Sequence, residues 1–430
     1  LPPAPSEGSE PIKAIRMWMF RSEARRLRGE AGWEADAREA FDALRDTVIS
    51  SIGRSRPRRG IVEDQIIWSR APVRADLAGG WTDTPPYCFL NGGKVVNVAF
   101  ELNGQAPLQC FVRGSPEPRI AIRSIDLGIE ERVDSYEALA DYPGIGSGFS
   151  IARAARCLCG FHPRFGAEGK GLRAELEAFG GGFDISLLSA VPKGSGLGTS
   201  SILSAVLLAA LGELCRLGWD RQELVRRVLA LEQMLGSGGG WQDQAGGIYA
   251  GLKLAQSRPG FGQDLTIRWL PESFLSPERC ESVVLLYYTG ITRVANDILK
   301  EIVRGMFLND GAVLELLGET GDRATRLFDA AQRGSWPEAC AEIERTWELK
   351  QELDSGTNTP AIAAIIDRVR DYLDAWTLPG AGGGGFLLMF AKDVQAAGRV
   401  KAELEAGPPN PRARFVRLSP SRTGLQVTSS

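Results

Sequence analysis

Between Ala190 and Ala205 the chain reads Ala-Val-Pro-Lys-Gly-Ser-Gly-Leu-Gly-Thr-Ser-Ser-Ile-Leu-Ser-Ala. Three alternating glycines (Gly194, Gly196, Gly198) precede three hydroxyls (Thr199, Ser200, Ser201) and an apolar helical run. Lacking Cβ atoms, such glycines let successive backbone N–H groups face an anion at close range. A helix that starts at Thr199 aims its free N–H groups and the positive end of its dipole at the same point. The chemistry on offer is phosphate binding, although a plain glycine-rich connecting turn has the same local pattern. Glu232 and Asp243 follow, eleven residues apart, on either side of a glycine break at 236–240. With the Ser200 hydroxyl they supply hard oxygens of the kind Mg²⁺ takes, and one carboxylate remains to contact a hydroxyl. Taken alone, the two acids read more simply as a solvated helix end and a turn. A third set, Arg74, Asp76 and Asp83, surrounds Gly79-Gly80. Asp accepts hydrogen bonds from a polyhydroxy ligand, and Arg pairs with a phosphate or a carboxylate. A structural Arg–Asp pair in a glycine turn explains the same residues equally well. Leu378–Phe386 holds five more glycines, which permit close approach of the backbone to a ligand or to another loop.

Composition removes other chemistries. One histidine, His162, excludes Ser-His-Asp and Cys-His nucleophilic sites and multi-His metal centres. Proton transfer is left to carboxylates or Lys. Seven irregularly spaced cysteines do not form a disulfide framework and point to a reducing, cytoplasmic setting. No apolar run approaches the roughly 20 residues of a membrane span, so no membrane partner is expected. With a net charge of −3, the Arg54–Arg59 cluster reads as a solvated linker, and no nucleic-acid partner is expected. The cradle is not a P-loop, because Thr199 follows Gly198 where that motif needs Lys. Nor does it suit a dinucleotide fold, since another helix follows in place of a strand carrying an acid.

The elements that must position these residues follow from periodicity. A strand at Phe183–Val191 enters the cradle, and a helix of about Thr199–Leu217 leaves it. A second helix runs from Asp220 to about Leu235. Earlier come a helical stretch over Ile12–Ile52, strands at Lys94–Leu102, Leu108–Val112 and Ile120–Ile125, and helices near Ser150–Cys159 and Leu172–Phe179. Later come a strand at Ser282–Tyr288 and helices near Thr292–Phe307, Gly321–Arg333, Trp336–Leu353 and Pro360–Ala375. A strand at Phe386–Ala391, a helix at Val394–Leu404 and a strand at Ala413–Leu418 complete a split βαβ order. The expected division is a helical extension over 1–65, an N-terminal domain over 66–260 and a C-terminal domain over 261–430.

Taken in order, Ala71–Asp83, Pro192–Ser201 and Leu378–Phe386 resemble the three signature motifs of the GHMP small-molecule kinases, with Glu232 and Asp243 as their acidic segment. The resemblance spans roughly residues 66–418. It implies an α+β fold whose N-terminal half is like domain 2 of ribosomal protein S5 and whose C-terminal half is ferredoxin-like. It implies that Lys193, Gly194, Ser195, Gly196, Leu197, Gly198, Thr199, Ser200 and Ser201 wrap the phosphates of ATP. Ser200 and Glu232 would hold Mg²⁺, Asp243 would be the catalytic aspartate with Arg74 beside it, and Gly380, Gly382, Gly383 and Gly384 would form a structural loop.

Gly80 and Trp81 stand where galactokinases carry an acid and a His. The form of Gly79–Pro86, together with Ile122–Gly128, Tyr288–Arg293 and Leu353–Pro360, is similar to the L-fucokinase branch, which phosphorylates the anomeric hydroxyl of L-fucose. Asp83 would then bind sugar hydroxyls and Trp81 would cover the sugar's apolar face, with Arg293 and Asn358 lining the pocket. Adenine is expected near Ile122–Gly128 and Tyr142–Ser150. A kinase for heptose 7-phosphate shares the first motif and is the alternative. A non-catalytic sugar or nucleotide sensor is disfavoured by the joint presence of Ser200, Glu232 and Asp243. In this branch the kinase often follows a nucleotidyltransferase in one chain, and a start at Leu1 with charged helical residues after it fits a cut inside such a connector.

Overall fold

A computed structural model describes residues 1–6, 8–142, 148–292 and 296–430. The chain opens with a helical hairpin, α1 (Pro11–Leu27) and α2 (Trp33–Ser50). There follow β1 (Ile66–Ala71), β2 (Val73–Ala78), α3 (Tyr87–Asn91), β3 (Lys94–Leu102), β4 (Leu108–Ser115), β5 (Ile120–Ser124) and β6 (Ile129–Val133). Next are α4 (Tyr136–Ala140), α5 (Ser150–Arg156), α6 (Leu172–Phe179), β7 (Gly182–Ser189), α7 (Thr199–Leu214), α8 (Arg221–Met234) and α9 (Gln242–Ile248). Then come β8 (Leu252–Ser257), β9 (Leu265–Trp269), α10 (Pro277–Ser282), β10 (Val284–Tyr288), α11 (Asn296–Leu308) and α12 (Gly311–Gln332). The chain closes with α13 (Trp336–Leu353), α14 (Pro360–Val369), β11 (Leu373–Thr377), β12 (Phe386–Ala391), α15 (Val394–Ala406), β13 (Arg414–Val416), β14 (Leu418–Pro420) and β15 (Gln426–Ser429). No described helix is long and apolar enough to cross a membrane.

Three sheets result. The first has the order β15-β1-β4-β7-β5-β6, the second β14-β3-β8-β9 with β2 also on β3, and the third β11-β12-β10-β13. In the first sheet only β5 and β7 run parallel. Helix α7 lies against β1 and β4 and buries almost its whole surface, which explains why its apolar residues run without a polar face. That places the cradle, at the start of α7, over the edge of a rigid core. The third sheet has the expected split βαβ order, with four helices between its first two strands in sequence.

Strand pairing corrects the expected boundaries. β9 pairs with β8, Lys253 opposite Trp269, so the N-terminal sheets extend past residue 260. The expected strand Ala413–Leu418 breaks at Arg417: β13 joins β10, whereas β14 crosses to β3 and β15 to β1. Each crossing strand covers the open edge of a partner whose backbone groups would otherwise lack partners. The helix expected over Pro360–Ala375 ends early, and Leu373–Thr377 is a strand with alternating burial. The Arg54–Arg59 linker is not free in solvent. Ser55 N, Arg58 N and Gly60 N donate to Phe165 O, Cys215 O and Leu214 O at 2.8, 2.9 and 2.7 Å. Arg54, Arg56 and Arg58 point outward while Ser55 is buried, so an extended strip lies along the surface with its charges hydrated.

The N-terminal hairpin packs against two helices from the second half of the chain. α2 lies on α8 and α1 on α11. Phe41 meets Phe307 edge-on with ring centroids 5.2 Å apart, and Glu23 pairs with Arg304. Phe41 is half-buried, so Phe41→Ala should lower stability by about 2 kcal/mol. Urea unfolding checks this, and an unchanged midpoint would show that the hairpin contributes nothing to the fold.

Candidate active site

The site is built outward from β2, every residue of which is buried. Strand alternation puts Arg74 and Asp76 on one face. A buried guanidinium must find carboxylates or carbonyls to replace its water, and Arg74, 2% exposed, finds three partners. Nε and Nη2 donate to Asp243 Oδ1 at 2.9 and 2.6 Å. Nη1 donates to Asp76 Oδ1 at 2.8 Å and to the Gly196 carbonyl at 2.9 Å. Burial alone would pull the Arg74 proton affinity down, but the Asp243 and Asp76 charges outweigh it and leave the group raised. Asp76 also accepts Lys350 Nζ at 2.6 Å and Gly380 N at 2.6 Å. Burial pushes its carboxyl up, and the Lys350 and Arg74 charges more than cancel that, leaving it below the ordinary range.

Two glycine loops meet over this pair. Gly194, Gly196 and Gly198 have φ of 70°, 77° and 71°, the left-handed region that glycine enters at little cost. A Cβ on Gly196 would lie 2.5 Å from Pro379 O, and one on Gly385 would lie 2.3 Å from Ser195 O. Phe386 N donates to Ser195 O at 2.9 Å, so the cradle and the Leu378–Phe386 loop are laced backbone to backbone. Gly380, Gly382 and Gly383 share the positive φ, and Gly384 packs on Ile291 O. Gly198 caps α7 with no side-chain acceptor, which leaves the first N–H groups of the helix free for an anion.

The loops and the acidic segment enclose a cleft of about 510 Å³. Its walls bring together Arg74, Trp81, Glu232, Asp243, Gly380 and cradle residues Gly194–Gly196 and Gly198–Ser201. Leu197 instead turns into the core and Lys193 is exposed outside this lining. Glu232 Oε1 accepts Ser201 Oγ at 2.9 Å and Oε2 accepts Ser237 Oγ, so the neighbouring hydroxyl holds the acid while Ser200 faces the cleft. Burial raises the Glu232 carboxyl against those two bonds, and the Asp243 charge adds to the rise. A carboxylate and a hydroxyl at a helix start suit Mg²⁺, which completes its shell with phosphate oxygens and water. The described residues hold no group of three or more His, Cys, Asp or Glu able to bind a metal by themselves.

Asp83 lies behind the lining and is fully buried. Its Oδ2 accepts Gln242 N at 3.0 Å, its Oδ1 has no partner, and neither does Gln242 Oε1 in the cleft wall. Gly240 is needed there, because a Cβ would sit 2.1 Å from Asp83 Oδ2. Trp81 lines the cleft with φ of 76°, a costly value for a bulky residue and one that turns its ring inward from the glycine turn. α9, which carries Asp243, is held at its end by Lys253, whose Nζ donates to Gly246 O and Gly251 O at 3.1 Å each. Burial pushes that ammonium down to about 7.

Some expected site residues are not brought in. Asn358 is not in the cleft wall: its amide donates to Gln351 Oε1 at 2.9 Å in the link between α13 and α14. Arg293 and residues 143–147 of the expected adenine segment lie outside the described residues. The other adenine segment is placed beside the cradle strand, with Ile125 N donating to Leu187 O and Ser189 N to Asp126 Oδ1, and with Ile125 and Leu127 exposed. Lys350 was not legible as a site residue. Its signal was a lysine on the apolar stripe of α13, in step with Ile343, Thr346 and Trp347, all buried.

The GHMP kinases N terminal domain matches residues 168–251, and the GHMP kinases C terminal domain matches residues 327–410. The chain is 48% identical over 422 residues to the L-fucokinase/L-fucose-1-P guanylyltransferase of Bacteroides fragilis, covering 97% of this chain and 44% of that protein. The chain thus spans less than half the length of that relative. It is 26% identical over 342 residues to the D-glycero-alpha-D-manno-heptose 7-phosphate kinase of Campylobacter jejuni, covering 78% of this chain and 92% of that one. A D-glycero-D-manno-heptose 1-phosphate kinase structure from Bacteroides thetaiotaomicron shares the fold, with a TM-score of 0.61 and 19% identity over 84% of this chain and 98% of that one.

Burial pushes the Asp83 carboxyl up to about 7, with the Gln242 N–H opposing and the Asp243 charge adding. In the unfolded chain it ionises near 4, so between about pH 4 and 7 the unfolded state binds fewer protons and stability falls as pH rises. Asp83→Asn should therefore gain on the parent protein across that window, by up to a few kcal/mol, and stay level above it. Urea unfolding at a series of pH values measures the difference; a gap that does not change between pH 4 and 7 refutes the assignment.

Proposed function

The chain belongs to the GHMP kinase family, and from that premise we propose that it transfers the γ-phosphoryl group of ATP to the anomeric hydroxyl of L-fucose, giving L-fucose 1-phosphate and ADP. The observation that carries the reading is the Arg74–Asp243 pair, set in one cleft with the Gly194–Ser201 cradle and Glu232. The likeness to a protein named L-fucokinase over 97% of the chain supports the choice of sugar.

In this reading the free N–H groups of the cradle and of α7 bind the ATP phosphates. Ser200 and Glu232 would hold Mg²⁺, and Ser201 and Ser237 keep the Glu232 carboxylate in place. When bound, the metal ion would neutralise charge on the β- and γ-phosphates. Asp243 orients the sugar hydroxyl and takes its proton as the new P–O bond forms, while Arg74 stays paired to the same carboxylate oxygen from its other side. Such a reaction depends mainly on positioning and charge neutralisation. Gln242 Oε1, an acceptor without a partner in the cleft wall, suits a hydroxyl of a sugar, and Trp81 suits its apolar face, while Asp83, expected as a sugar ligand, is buried behind the wall and holds Gln242 through its backbone N–H. Arg293 is kept as a sugar ligand on the resemblance; Asn358 is not.

The heptose 7-phosphate alternative needs a cation for a second phosphate. Arg74 is the one Lys or Arg among the described residues lining the cleft, and it is already bonded to Asp76 and Asp243. A neutral sugar fits better. A sensor without activity has no call for Ser200, Glu232 and Asp243 in one cleft. We place the activity in the cytoplasm, a setting that suits seven buried, unpaired thiols. A nucleotidyltransferase, fused upstream or separate, would consume the sugar 1-phosphate, in line with the double name of the Bacteroides fragilis relative.

Purified protein should release ADP with ATP, Mg²⁺ and L-fucose and release little with heptose 7-phosphate; no turnover of L-fucose rejects the sugar assignment. Asp243→Ala should keep nucleotide affinity within a few-fold and lose turnover by about 10² or more. A coupled ADP assay and a nucleotide titration read the two effects, and parental turnover in that variant overturns its role.

A further inference from the structure

Asp76 is reached by three segments that are far apart in sequence. Arg74 Nη1 and Gly380 N occupy its Oδ1, and Lys350 Nζ, 274 residues away, occupies its Oδ2 at 2.6 Å. Lys350 also donates to Leu378 O at 3.2 Å and is 2% exposed. It does not line the cleft and so does not meet substrate. We propose that Lys350 is a positioning residue for phosphoryl transfer: by neutralising Asp76 it leaves the Arg74 guanidinium free to hold Asp243.

The argument is one of charge in a dry site. Arg74 has carboxylates on two edges, Asp243 against Nε and Nη2 and Asp76 against Nη1. Both Arg74 and Asp76 are buried, so their attraction is weakly screened. With Lys350 present, Asp76 faces two cations and Arg74 is divided between two acids. With Lys350 removed, Asp76 keeps a full charge that only Arg74 can answer, and the guanidinium is drawn towards Nη1's partner and off Asp243. Asp243 then loses the two bonds that fix its Oδ1. Lys350 belongs to α13 and Gly380 to the glycine loop, so both contacts bring the C-terminal half of the chain to bear on the reacting pair.

This inference rests on the kinase reading, and the experiment separates the two. Lys350→Met and Lys350→Met/Asp76→Asn are compared with the parent protein by steady-state kinetics on ATP and L-fucose, and by the ¹⁵N-arginine Nε–H spectrum without substrate. The Arg74 resonance is assigned by its loss in Arg74→Lys. Lys350→Met should lower kcat about 30-fold or more with both KM values within threefold, the mark of a transition-state defect. It should also shift the Arg74 Nε–H signal. The double variant, whose neutral amide no longer competes for Arg74, should regain at least tenfold in kcat and return the signal towards its parental position. A kcat within threefold of the parent, a loss confined to KM, or a double variant no better than the single overturns the proposal. Should Lys350→Met fail to fold, the double variant decides: an Arg74 signal near the parental position supports the proposal, and a displaced one overturns it. If the parent protein phosphorylates no sugar, the kinase reading falls, while the Arg74 signal still tests the link from Lys350.

Discussion

One buried guanidinium sets the terms for the rest of the site. Arg74 cannot be left without partners in a dry interior, and the partners it has come from four separate stretches: its own strand, the cradle, the start of α9 and, through Asp76, the C-terminal helices. Each of those stretches carries chemistry. Satisfying a single charge therefore forces the Gly194–Ser201 cradle, Asp243 and the second glycine loop into one place. Removal of either carboxylate would leave a buried charge uncompensated, which costs several kcal/mol in comparable sites. The geometry of the cleft and the requirement for charge neutrality are the same constraint here.

The glycines serve that convergence in a second way. Their value in the two loops lies less in flexibility than in thinness. Carbonyls of Pro379 and Ser195 occupy the spaces where side chains at Gly196 and Gly385 would stand. Side chains are absent so that two main chains can touch, and the cleft floor is then made of backbone with few soft degrees of freedom. Gly240, pressed on Asp83, does the same on the far wall of the cleft.

Much of this was legible in the residues themselves. Helices Leu172–Phe179 and Trp336–Leu353 and strand Phe386–Ala391 have the bounds their patterns give, because the helices each have one buried face and the strand is a continuous apolar run buried on both. Glu232, Asp243 and Arg74, ambiguous one by one, could be read from the order of the surrounding motifs, and the structure brings them to one cleft. What escaped depends on partners distant in sequence. Three-residue strands such as β13 and β14 have no periodicity of their own and exist because an edge is open elsewhere. The Arg54–Arg59 strip looked solvated because Arg54, Arg56 and Arg58 are exposed; what holds it is its backbone, bonded to Phe165 and to carbonyls at the end of α7, and Arg59, which donates to Gly180 O. Lys350 escaped for the opposite reason, since a lysine's ordinary place is in water and only a buried acid 274 positions away explains it. Asn358 was drawn to the sugar by resemblance, yet its neighbours Gln351 and Thr357 hold it beside the glycine loop.

The return of β15 to β1 has a consequence in time as well as in space. Trp68 and Thr428 are bonded across 360 positions of chain. During synthesis β1 leaves the ribosome some 360 positions before its partner and waits with an open edge until β15 has emerged. The sheet that supports the cradle helix is therefore completed by a strand made after every other described strand. A nascent chain can fold its helices and pair β1 with β4 long before that, but the unit becomes fully closed only when its two distant strands meet.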